Sequence, residues 1–168
     1  METSIKLYTL SYSERRTYFM AVLFVLCNTM LPQLFHLIPQ GGIIFSPLSL
    51  VIMVAAYKFG WRTALLAAVA SPIVNHLVFG MPAASVMTLM AVKLALLAII
   101  AGLAAQHFKQ MNLLLLLGVV LVTKALDFLA EFLLTGGITA TINDFTIGWP
   151  GLLLQVLGTY AILRIWKS

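Results

Sequence analysis

Lys124, Asp127 and Glu131 stand in a long apolar stretch, spaced by three and four residues. On an α-helix this spacing gathers all three on one stripe, within an arc of roughly 60°. Ionisable groups so placed can pair, grip a polar solute or pass protons. Other apolar stretches carry similar interruptions: Lys93, the neighbours Asn75 and His76, Asn28, and Gln155 with Thr159 one turn on. Trp149 stands at the start of the last stretch. No Ser-His-Asp order in a recognisable context, HExxH, phosphate loop or metal-ligand cluster accompanies them, so neither an enzyme nor a cofactor is expected. Cys27, the single cysteine, lies in an apolar run and reads as a small hydrophobe.

These residues are unusual because of their surroundings. Of 168 residues, 62% are hydrophobic and 9% charged, whereas a soluble domain carries roughly a quarter charged residues. The fold class expected is all-α: an integral membrane bundle of six transmembrane helices forming a single domain, residues 1–168. Runs near the required ~20 residues fall at about 17–38, 63–79, 83–105, 111–134 and 147–166, with a shorter one at about 43–57. Pro39-Gln40-Gly41-Gly42, Lys58 to Arg62, Gly80-Met81-Pro82, His107 to Gln110 and Thr135 to Asp144 separate them. The first run lacks a small-x-small cleavage site and is read as a span rather than a leader.

Loop charges orient this map. Lys6, Arg15, Arg16, Lys58, Arg62, Lys109, Arg164 and Lys167 fall on one side, and no lysine or arginine falls in the loops of the other. That asymmetry places both termini in the cytoplasm of a multi-pass cell (inner) membrane protein. The net charge of +5 is thereby read as topology, and no nucleic-acid partner is expected.

Depth then follows. Asn75, His76, Asp127, Glu131 and Gln155 fall in the outer halves of their spans, with Lys93 and Lys124 near the midplane. A buried charge costs at least about 2.5 kcal/mol unless paired or wetted. The arrangement is read as an outward-open pocket lined by Asn75, His76, Lys93, Lys124, Asp127, Glu131 and Gln155, with Trp149 at its mouth. Lys124 with Asp127, and Lys93 with Glu131, are the internal ion pairs that a purely structural role would use. The small-xxx-small pairs Ala64/Ala68, Ala91/Ala95, Ala98/Gly102 and Ala101/Ala105 suit close helix approach, within the chain or against a partner.

The stretch Gly41-Gly42-Ile43-Ile44-Phe45-Ser46-Pro47 and the connection Tyr57-Lys58-Phe59-Gly60-Trp61-Arg62, set in a small six-span chain, resemble the substrate-binding S components of energy-coupling factor (ECF) transporters. The resemblance implies uptake of a vitamin-like small molecule, with a transmembrane coupling protein and two ATPases as partners. It departs at the first span, where Ala21 is followed by Val25 rather than by the second alanine of the family's docking face. The alternative is an MreD-like membrane scaffold of the cell-shape machinery, similar in size and helical layout.

Overall fold

A computed structural model describes residues 3–4, 9–35, 37, 41–135, 142 and 146–166. Among these residues the fold is helical apart from turns and one two-residue strand pair. The helices are α1 (Arg15–Phe35), α2 (Gly41–Phe45), α3 (Pro47–Phe59), α4 (Trp61–Phe79), α5 (Ala84–Phe108), α6 (Leu113–Thr135) and α7 (Trp149–Ile165). Strands β1 (Thr3–Ser4) and β2 (Gln110–Met111) pair antiparallel, so the N-terminal segment crosses the α5–α6 turn.

Among the described residues four helices, α1, α4, α5 and α6, are long and apolar enough to cross a membrane. Their outward faces carry exposed apolar side chains such as Phe19, Leu26 and Met30 on α1 and Leu114, Leu121 and Leu133 on α6. α3 has 13 residues and α7 has 17. At 1.5 Å per residue α3 is about 20 Å long, short of a hydrocarbon core of about 30 Å. The span expected at 43–57 is thus two helices, broken at Ser46, whose left-handed φ of 42° stops α2 just before Pro47 opens α3.

α3 is the centre of the bundle. Every residue from Leu50 to Phe59 is buried, as expected of a helix that is apolar on all sides. It packs on α1, α4, α5 and α7. Pairs of contacts fix its direction against α1 and α7. Phe24 meets Phe59 at the end of α3, and Phe35 meets Phe45 of α2 just ahead of α3, so α1 and α3 run antiparallel. Gly151 lies on Ile44, Gly158 on Leu50, and Lys58 reaches Trp166, so α3 and α7 run parallel in fixed register. Tight turns at Gly60, Gly80 and Lys109, all with positive φ, reverse the chain between α3, α4, α5 and α6. Gly60 alone separates α3 from α4, and its φ of 89° explains why glycine stands there.

Both terminal stretches meet at one end of the bundle. Phe59 accepts a backbone bond from Leu10 at 3.3 Å and packs on Trp166 at 5.8 Å. The described basic residues Arg15, Arg16, Lys58, Arg62, Lys109 and Arg164 all lie at this end; Lys6 and Lys167 lie outside the described residues. Lys58 corrects the loop assignment. It belongs to α3, is 2% exposed, and donates to the Trp166 carbonyl at 2.6 Å, capping the C-terminus of α7.

Small residues let the central helices touch. Ala64, Ala68, Ala98, Gly102, Ala101 and Ala105 are all buried, whereas Ala91 and Ala95 are half-buried. A Cβ at Gly102 would come within 2.5 Å of the Trp61 Cβ, so α4 and α5 approach as closely as a glycine allows.

Candidate functional site

The eight candidate residues divide between two places. α3 packs on α5 and α7, and α6 packs on the same two helices, which closes a ring of four: α3, α5, α6 and α7. Lys93, Lys124, Asp127, Glu131, Gln155 and Trp149 belong to this ring. Asn75 and His76 sit on α4, which lies outside this ring and packs on α1, α3 and α5.

Within the ring, α6 buries one stripe. Leu116, Val119 and Val120 fill its half near the termini, and Thr123, Asp127 and Glu131 continue the stripe toward the opposite end. Asp127 is 9% exposed and Glu131 6%. Lys93 of α5 donates to Glu131 Oε2 at 2.5 Å, a charge-assisted bond that ties α5 to α6. Lys124 flanks the stripe, is half-buried, and makes no ion pair among the described residues. Of the two pairs that a purely structural role would use, Lys93–Glu131 forms and Lys124–Asp127 does not. Lys124 and Asp127, three residues apart, share a face without joining.

α7, which packs on α6, buries Gln155, 4% exposed, and Thr159, fully buried. Both lie in the middle of the buried arc of α7, between Gly151 and Gly158, which abut α2 and α3, and the flank of Leu152, Val156 and Leu163. Trp149 is the first residue of α7 and is 53% exposed at the mouth end.

On α4 the polar groups are engaged elsewhere. Pro32 in α1 removes the amide that would bond the Asn28 carbonyl four residues back. Asn75 supplies the missing donor: its Nδ2 bonds Asn28 O at 3.1 Å and Ser71 O at 2.9 Å. Asn28 Nδ2 in turn donates to Ser71 Oγ at 3.0 Å, whose own proton goes to Ala67 O at 2.6 Å. Asn75 is thus a tie between α1 and α4. His76 Nδ1 lies 2.8 Å from the Pro82 carbonyl. A carbonyl only accepts, so the proton sits on Nδ1, and the ring latches the α4–α5 turn.

The ring joins acceptor-only carboxylates, a lysine bonded to one of them, a carboxamide and a hydroxyl, all away from the terminal end. Such a set suits grip on a small polar solute by hydrogen bonds and charge. Thr159 and Thr123 were not among the candidate lining residues, because threonine is common in helices that span membranes and usually bonds its own backbone. Comparison with protein-family models, with curated proteins and with solved structures gives no match.

Proposed function

We propose that the chain is the membrane-embedded substrate-binding subunit of an ECF-type transporter, taking up a vitamin or similar small micronutrient. Six crossings and cytoplasmic termini belong to this reading. The alternating directions of α1, α3, α4, α5, α6 and α7, and the basic residues gathered at the terminal end, support it.

One observation carries the functional part. Two buried carboxylates, Asp127 and Glu131, lie one turn apart inside a helical ring, in the half away from the termini. Glu131 bonds Lys93 of α5. Buried acids are costly at membrane depth, and the buried Gln155 and Thr159 of α7 belong to the same ring. Those groups are what a captured polar solute would bond. With no nucleotide-binding motif in the sequence, ATP-driven uptake would draw on partner chains.

Isolation of the tagged chain from its native membrane in mild detergent tests the assignment. Recovery of a membrane coupling protein with a pair of ATPases is the expected result. Recovery of cell-wall assembly proteins instead would support the scaffold reading and displace this one.

A further inference from the structure

Four buried threonine and serine hydroxyls in this fold share a habit that Thr159 lacks. Thr29 donates to Val25 O at 2.8 Å, Thr63 to Phe59 O at 3.4 Å, Ser71 to Ala67 O at 2.6 Å and Thr123 to Val119 O at 2.7 Å. Each bonds the carbonyl four residues back in the chain. Thr159 is fully buried, yet its Oγ1 has no hydrogen-bond partner. One turn earlier the Gln155 side chain is almost as deeply buried and makes no hydrogen bond among the described residues. Leaving a buried hydroxyl unbonded is unfavourable, and buried polar side chains are normally satisfied.

We propose that Gln155 and Thr159 form a neutral subsite that reads the hydrogen-bonding edge of a flat ligand. The inference rests on the reading of the four-helix ring as a ligand site. A carboxamide offers an NH2 donor and a carbonyl acceptor, and a hydroxyl offers one of each. Set at i and i+4 on one helix, about 6 Å apart, the two groups match a rigid edge on which a donor adjoins an acceptor. A primary carboxamide or an amino-substituted nitrogen heterocycle carries such an edge. Across the ring, the Asp127 carboxylate accepts from an N–H on the ligand's other side. A simple carboxylic acid carries no N–H donor for either wall, and a flexible amino acid lacks the rigid edge.

Thermal unfolding of the full chain in detergent tests this with cytosine and nicotinamide as edge-bearing probes, and hexanoate and glycine as probes without the edge. Cytosine or nicotinamide should raise the melting temperature of the wild type. Thr159→Val and Gln155→Leu should each weaken that probe's apparent affinity by about tenfold or more, the loss of one good hydrogen bond or slightly more. The isosteric Thr159→Val should also melt higher than the wild type when no probe is present, because it removes an unbonded hydroxyl. A lower melting temperature for ligand-free Thr159→Val would overturn the proposal, since the hydroxyl would then be a structural bond. So would stabilisation by hexanoate or glycine but by neither edge probe, or by no probe at all. Loss of the probe's effect in Asp127→Ala, with no loss in Thr159→Val or Gln155→Leu, would keep the ring as a ligand site and refute the subsite. Full retention in all three variants would remove the ring itself as the binding site.

Discussion

Asn75 of α4 donates its side-chain amide to the Asn28 carbonyl of α1, the acceptor that Pro32 deprives of its helical partner. A proline defect in one helix is repaired by a side chain of another. Replacing Asn75 by leucine should therefore lower stability by about 1–3 kcal/mol, the range for an orphaned buried group. Pro32→Ala restores a backbone amide at that place. In the double variant, Asn75→Leu should cost much less than it does alone, measured by chemical or thermal unfolding in micelles. Strict additivity would show that the two residues do not serve the same carbonyl.

The Lys93–Glu131 pair ties α5 to α6. Removing one partner of a buried pair costs about 3–5 kcal/mol, whereas replacing both by apolar residues is often neutral. Lys93 is partly exposed, which puts Glu131→Leu at the lower end of that range. Lys93→Met combined with Glu131→Leu should recover most of the loss. A double variant as unstable as the two losses combined would mean that the charges act independently.

Two glycines make opposite predictions. Gly102 lies against the Trp61 backbone, where an added Cβ finds atoms at 2.5 to 2.6 Å. Gly102→Ala should push α4 from α5 and cost about 1–3 kcal/mol, as overpacking does. Gly118 of α6 has nothing within 4 Å of the same added atom. Gly118→Ala should be neutral or stabilising by up to about 1 kcal/mol through helix propensity. Comparing the two melting temperatures checks both.

Helix positions were legible because glycine and proline punctuate the apolar runs. Phe79 ends α4 as expected, since Gly80 follows with a φ of 70°. Two features were not legible. Ser46 adopts a left-handed turn that serine does not advertise, so the short second run shows Pro47 near its start but not the helix α2 ahead of it. Lys58 read as a loop cation, because nothing local shows that the C-terminus of α7 lies within reach of its side chain. In the site, the α6 stripe of Asp127 and Glu131 followed from spacing alone, and Lys93 found Glu131. Asn75 was grouped with them by depth. Depth says nothing of azimuth, and its partner Asn28 is 47 residues away.

Topology can be read directly on cells. In a Cys27→Ser background, Ala83→Cys at the α4–α5 turn should react with a membrane-impermeant maleimide on intact cells. Ser13→Cys and Lys109→Cys, at the terminal end, should react only after permeabilisation. The reverse pattern, or reaction of both ends on intact cells, would invert or abolish the proposed orientation.

The proposed site holds a polar solute between α6 and α7. Its most direct test is mass spectrometry of small molecules that co-purify with the wild-type chain and with Asp127→Ala and Glu131→Ala. A small polar molecule should be present in near-stoichiometric amount with the wild type and lost from Asp127→Ala. Undiminished recovery of that molecule with both variants would contradict the proposed site.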